Sequence, residues 1–251
     1  MNVKVSLSWV VLTAVVLGVT SCGSTASFYT DVTRRKTSLQ YLHDTPPSRQ
    51  VSACQVQVAK PVVTDPSFIR PGSVRTARSY IVPVIVYTEW GSQFDYRLGS
   101  ASIQQDVASF VQSALITESA RSGIFTADSV RTTGDLVLEI EIDSVGALGQ
   151  YFKKGYFIYL FFAYAYDQKE GIAGSMAYAR CRYRLRKGDT ILIDDVVESQ
   201  HAPQTPDRVY SSPKLLRADF NSALIEALSL SLKDNIEKIV QEVNGYCRFT
   251  P

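Results

Sequence analysis

The chain has 251 residues, 45% of them hydrophobic and 20% charged, with 26 Lys and Arg against 24 Asp and Glu. This is the profile of an ordinary globular protein, and a net charge of +2 argues against a nucleic-acid partner. Two His, four Cys and the absence of CxxC and HExxH leave no assembled zinc motif, so neither a metal nor a cofactor is expected.

The first residues read as a secretory signal. Lys4 supplies a positive n-region, residues 5–19 (VSLSWVVLTAVVLGV) an apolar h-region, and Gly18-Val19-Thr20-Ser21 a run of small residues before Cys22. An apolar stretch of about fifteen residues is short for a membrane span, which takes roughly 20. Val19-Thr20-Ser21-Cys22 resembles a bacterial lipobox, cut before the cysteine, whose thiol is then acylated; the alternative is an incidental thiol beside an ordinary cleavage site. Several acyl chains at Cys22 would hold the protein stably to membrane lipid, where one chain holds only marginally. Gly23 stands where an Asp would signal inner-membrane retention, so the expected location is the outer membrane, facing the periplasm. On this reading residues 1–21 are a signal peptide, 22–72 a flexible N-terminal tether, and 73–251 a single α/β domain with an aromatic hairpin at 155–187.

The tether carries Thr45-Pro46-Pro47-Ser48, Pro61, Pro66 and Pro71 between polar residues. Within it, residues 51–58 alternate apolar and polar side chains and make a candidate first strand. Arg34-Arg35-Lys36 is a short solvated or headgroup-facing run. Residues 80–88 (YIVPVIVYT) read as a strand that Pro83 pushes to an edge or bulge, and Phe94, Tyr96 and Leu98 mark a second. A helix follows, with Ser102-x-x-Gln105 as a capping box and Ile103, Val107, Phe110, Val111, Ala114 and Leu115 on one stripe, stopped by Gly123. Residues 136–143 (LVLEIEID) alternate as a strand.

Residues 155–166 (GYFIYLFFAYAY) are the most aromatic part of the chain. The polar break Asp167-Gln168-Lys169-Glu170-Gly171 predicts the turn of a hairpin whose second arm runs over 172–185. That arm puts Arg180, Arg182, Arg184 and Arg186 on one face and Cys181, Tyr183 and Leu185 on the other. Four cations on one strand face repel one another unless something negative lies near. Either the acidic face of 136–143 (Glu139, Glu141, Asp143) pairs with them across the sheet, or they face an anionic lipid headgroup or a partner. Residues 190–198 form a further strand, 200–214 a polar loop with Pro203, Pro206 and Pro213, and Leu215 to about Val243 a long amphipathic helix closed by Asn244-Gly245. The elements predict an α/β (α+β) fold: an antiparallel or mixed sheet with two amphipathic helices packed on one face.

Catalytic chemistry finds little support. The His residues are His43, in the tether, and His201, in a loop, Gly174-Ser175-Met176-Ala177 is not a nucleophile elbow, and Asp194-Asp195 point to opposite faces of a strand. A non-enzyme is expected. In an oxidising compartment Cys54 and Cys247 are the preferred disulfide, because Cys181 reads as an inward strand residue; three reduced thiols are the alternative. The aromatic arm, with Tyr156, Phe157, Tyr159 and Phe161, admits three readings: core or interface strand, membrane strand, or exposed apolar surface for lipid or a partner.

The order of elements behind the lipobox, with Tyr87-Thr88-Glu89-Trp90, Arg121-Ser122-Gly123-Ile124-Phe125, Gly134-Asp135-Leu136-Val137-Leu138-Glu139-Ile140 and the helix over 222–243, resembles the ABC-type transport auxiliary lipoproteins of the outer membrane. That resemblance implies a non-enzymatic accessory or docking component of envelope lipid transport or assembly, with an envelope protein partner and a homo-oligomeric state open to it. The long aromatic arm departs from the family pattern. A secretion-pore lipoprotein of the curli-export type, with a similar α/β core and Tyr156 to Tyr166 in a membrane or interface hairpin, is the alternative.

Overall fold

A computed structural model describes residues 38–41, 54–64, 73–82, 85–98, 105–129, 136–160, 163–204 and 213–249. Their elements run β1 (Cys54–Val58), β2 (Val62–Val63), β3 (Ser73–Val82), β4 (Ile85–Leu98), α1 (Val107–Ser122), β5 (Phe125–Asp128), β6 (Leu136–Leu160), β7 (Ala163–Lys187), β8 (Thr190–His201) and α2 (Pro213–Phe249). Among the described residues the fold is mixed α/β, one sheet with two helices.

The 25-residue strand β6 organises the sheet. Along one edge it pairs first with β1, in parallel at Leu136 to Leu138, then with β2 at Glu141 and Ile142, and then antiparallel with β4 from Ala147 to Leu160. Along the other edge it pairs antiparallel with β7 over its whole length. β5 lies beside β1, and β8 beside the 177–187 part of β7. The sheet therefore has two parts. A body, β5-β1-β6-β7-β8, continues into an extension, β3-β4-β6-β7, in which two antiparallel hairpins lie side by side.

Period-two alternation builds the body. Val56 and Val58, Phe125 and Ala127, Leu138, Ile140 and Ile142, and Cys181, Tyr183 and Leu185 are buried on one face, against Val111 and Leu115 of α1 and Phe220, Leu224, Leu228, Leu232, Ile236, Ile239 and Val243 of α2. Each large apolar side chain so buried contributes about 1.5–3 kcal/mol. The opposite face of the same strands carries the charges. α1 ends at Gly123, whose φ of 67° lies in the left-handed region and whose N–H donates to the Ser119 carbonyl at 3.2 Å. At the join between body and extension, the β6–β7 register shifts between Leu148 and Gln150 and β7 takes an extra residue at Gly174, with φ 59°. A bulge of this kind sharpens the local twist and re-aims the strands beyond it.

The observed elements differ from the expected ones at five places. Residues 54–64, assigned to the tether, lie in the sheet, with β1 between β5 and β6; Leu39 too is 5% exposed in the core. The candidate strand at 51–58 is there as β1; the proline-rich flanks hid its place inside the sheet, because a five-residue strand with only two buried valines gives little sign of its neighbours. β3 and β4 form a hairpin that turns between Val82 and Ile85, and β4 continues through Trp90-Gly91. The aromatic segment folds back between Leu160 and Ala163, so Asp167 to Gly171 are strand residues opposite Tyr156 to Phe152. α1 begins at Val107 with Asp106 as N-cap, and Ser102 and Ile103 lie outside the described residues. α2 runs through Asn244-Gly245 to Phe249, its last turns tied down by a disulfide between Cys247 and Cys54.

Candidate functional site

The four arginines sit where expected, on the face of β7 away from the helices, and each meets a carboxylate. Arg182 makes a two-pronged contact with Asp194, Nε to Oδ1 at 2.8 Å and a terminal nitrogen to Oδ2 at 2.9 Å, and Arg184 reaches the same carboxylate at 3.4 Å. Arg186 contacts Glu139 at 3.4 Å and Arg180 contacts Asp143 at 3.6 Å. The hydrogen bond from Arg182 holds the Asp194 carboxyl below the usual carboxylate range. Cross-strand pairing from β6 and β8 thus accounts for the charge of this face without a ligand. Sequence reasoning anticipated the β6 carboxylates but not Asp194, which belongs to the neighbouring strand.

The extension presents a different surface. Cross-strand partners share a face, so Tyr159, Tyr164 and Val86 form one row on the helix side, and Phe157, Tyr166 and Thr88 the next. On the opposite side Leu160, Ala163 and Ile85 form a row, followed by Ile158, Ala165 and Tyr87. The tip is therefore apolar or aromatic on both faces over four residues of β6 and of β7, and over three of β4, where Thr88 is the exception, a depth of about 13 Å at roughly 3.3 Å per residue. Tyr164 is 75% exposed, Tyr166 58% and Leu160 40%. Phe157 stacks on Tyr164 at 6.4 Å between centroids, and Trp90 lies 5.8 Å from Tyr166. The indole occupies the space left by Gly155, its cross-strand partner, where an added Cβ would stand 2.5 Å from the ring. Phe161 lies outside the described residues, as do Cys22 and His43.

Below the tip the chemistry changes in one step. Arg78, Glu89, Tyr156 and Asp167 share one row of the face away from the helices. Together with Lys154 and Lys169 they line an open depression of about 420 Å³. On the helix side Glu170 is nearly fully buried, its side chain 3% exposed. It takes Arg217 of α2 at 3.4 Å, Lys153 at 4.0 Å, the Gln168 amide at 3.3 Å and the Tyr151 hydroxyl. Burial first, and then the bond to Glu170, raises the Tyr151 hydroxyl pKa well above the ordinary phenol value. This cluster binds the root of the extension to the first turns of α2. Sequence reasoning missed it, having taken residues 167–171 for a turn; the spacing of Gln168 and Glu170, two apart on one strand face, was the available signal.

Among the described residues no group of three or more His, Cys, Asp or Glu is placed to hold a metal ion. His201 pairs with Asp234 at 2.8 Å, joining the end of β8 to α2. Cys181 is buried, and desolvation pushes its thiol up to about 12. No helix among the described residues is long and apolar enough to cross a membrane.

No family model and no curated protein matches the chain. Among solved structures it is similar to protein XCC0632 from Xanthomonas campestris, of the family DUF330, at a TM-score of 0.42 and 12% identity, covering 83% of this chain and 95% of that one. A likeness at that level assigns no function.

Proposed function

We propose that this protein is a non-enzymatic lipoprotein, anchored through Cys22 to the periplasmic side of the outer membrane, that serves as an accessory or docking component of envelope lipid transport or assembly. The observation that carries the reading is the extension: two hairpins joined into one sheet, rooted on α2 by Glu170, ending in an apolar tip with Tyr164 and Tyr166 exposed. A contiguous exposed apolar surface on a folded domain marks a site of protein or membrane contact. The α/β body supplies a rigid base, the acyl chains fix the distance to the membrane, and the tip makes the contact. The lipobox and the resemblance to ABC-type transport auxiliary lipoproteins support the location and the process.

Two measurements test it. Cys22→Ala should move the protein from the membrane to the soluble fraction; retention would refute the anchor. A photo-crosslinking residue at Tyr164 should capture a component of an envelope transporter, whereas one at Ile191, exposed on β8 of the body, should not. Equal labelling at both positions, or none at Tyr164, would refute docking through the tip.

The two adjoining hairpins also favour a second reading, a secretion pore in which copies contribute strands to one barrel. The row holding Arg78, Glu89 and Asp167 weighs against it: it follows an apolar tip of about 13 Å, where a barrel needs a lipid-facing band of about 25 Å. Conductance across planar bilayers would decide for the pore.

A further inference from the structure

Charged side chains on the body and on the extension are satisfied to different degrees. On the body, Arg182 holds Asp194 at 2.8 and 2.9 Å. On the extension, Arg78 stands directly across from Glu89, yet among the described residues the two form no ion pair. Glu89 accepts instead from the Tyr87 hydroxyl at 3.1 Å. Lys154 lies over the Phe152 ring, 5.7 Å from its centroid, and Lys169 reaches Asp167 only at 3.9 Å. These cations and carboxylates line one depression of about 420 Å³ and leave most of their charge to whatever enters it. Its floor is open because Gly91, at the level of Lys154 and Lys169, brings no side chain. The volume is that of a small-molecule site rather than of a crevice between side chains.

Immediately above the depression the same face of the sheet turns apolar. Counted in twos along each strand, Glu89, Tyr156 and Asp167 are followed by Tyr87, Ile158 and Ala165, and then at the tip by Ile85, Leu160 and Ala163. Ile85 and Leu160 are exposed. The charged depression and the apolar rows are therefore one continuous surface, with Tyr87 and Tyr156 at the boundary, where rings with one polar end suit the level between headgroups and hydrocarbon. The apolar depth of about 13 Å is close to the roughly 15 Å of a single acyl layer, half of a hydrocarbon core of about 30 Å.

We infer that this face binds one phospholipid whose headgroup carries an amine as well as the phosphate, of the phosphatidylethanolamine type, with the headgroup in the depression and the acyl chains along the apolar rows. Arg78, Lys154 and Lys169 take the phosphate oxygens. Glu89 and Asp167 take the ammonium, with the Tyr156 ring between them offering its face. The two carboxylates set the headgroup class: a headgroup with negative charge alone meets them as repulsion, and an ammonium removes that repulsion. This rests on the extension being the working part, as proposed above, and names the lipid it handles. It also divides the extension by face, since Tyr164 and Tyr166 lie on the helix side and stay available to a protein partner while lipid takes the other side.

The test uses the lipidated protein in detergent micelles and the fluorescence of Trp90, which lines the depression and is the only tryptophan of residues 22–251. The probes are phosphatidylethanolamine, phosphatidylglycerol and diacylglycerol, each with the same brominated acyl chains. Quenching by the phosphatidylethanolamine should saturate at one lipid per chain and at about tenfold lower concentration than with either other probe. Arg78→Gln with Lys154→Gln should weaken it about tenfold, and Glu89→Gln with Asp167→Asn should turn the preference to phosphatidylglycerol. Both variants alter exposed or half-buried side chains and should melt as the parent does; Arg184→Gln, on the paired face of the body, should bind as the parent does. Equal quenching by diacylglycerol would mean apolar partition alone and overturns the inference. So does a parent preference for phosphatidylglycerol, displacement of the lipid by equimolar inorganic phosphate, or binding unchanged in both double variants. Failure of the docking reading would appear separately, as no capture of a transporter component from Tyr164 while quenching persists.

Discussion

Glu170→Gln isolates the bond between the extension and α2. The substitution keeps the size of the side chain but removes the charge of the carboxylate that Lys153 and Arg217 share, two cations that are 13% and 12% exposed at the side chain. Removing one partner of a buried pair costs about 3–5 kcal/mol, because the remaining charges stay desolvated. The contacts here are 3.4 and 4.0 Å, and both cations retain some solvent, so the low end, about 3 kcal/mol, applies. For a chain of this size that corresponds to a fall in Tm of about 6–12 °C. Thermal melts followed by circular dichroism give the total, and hydrogen exchange over residues 151–172 locates it, with exchange expected to rise in the extension before the body. Replacing the whole group, Glu170→Leu with Lys153→Met and Arg217→Met, should recover most of the loss, since a packed apolar set carries no desolvation cost. A Tm for Glu170→Gln within about 2 °C of the parent, roughly 1 kcal/mol or less, with unchanged exchange would refute the assignment.

Gly155→Ala should destabilise the extension by about 1–3 kcal/mol, because the new Cβ meets the Trp90 ring at 2.5 Å and the Asp167 carbonyl at 2.9 Å; loss of the near-ultraviolet tryptophan signal reports it. Reducing Cys54–Cys247, which closes a loop of 193 residues, should lower stability by up to about 5 kcal/mol on the chain-entropy account, read as a shift of the urea midpoint. Cys181 and Tyr183 are both pushed up to about 12, chiefly by burial. Each therefore holds its proton in the folded state after the unfolded chain has released it. The stability they contribute is complete below about pH 9 and declines as pH rises from 9 towards 12, and Cys181 should resist alkylation at pH 8 until the protein unfolds. Flat stability up to pH 11 would contradict that burial.

The body was legible because its signals are local and periodic. The alternation of 136–143 and of Cys181, Tyr183 and Leu185 marks the buried face directly, and the stripe of α1 with its Gly123 stop needs only helix geometry. The pairing of the arginine face was legible in kind, since four like charges on one strand call for something negative beside them and the β6 carboxylates were one of the two candidates, but its main partner, Asp194, depends on which strand becomes the neighbour of β7. Cys54 with Cys247 followed from the inward position of Cys181, yet their meeting requires β1 to sit inside the sheet, which proline-rich flanks concealed.

The extension divides the two kinds of information most clearly. Composition and β-branched or aromatic content determined that residues 80–88, 94–98, 155–166 and 172–185 would be strands. Where each hairpin turns was decided by pairing: β6 finds an uninterrupted partner in β7 only if the chain reverses between Leu160 and Ala163, which turns Asp167 to Gly171 from a loop into strand and carries Glu170 under α2 to meet Arg217. A polar run signals a turn only while nothing in the fold can satisfy it. Here Lys153 and Arg217, distant in sequence, supply what Glu170 needs, and contacts of that separation exist only once the tertiary structure has formed.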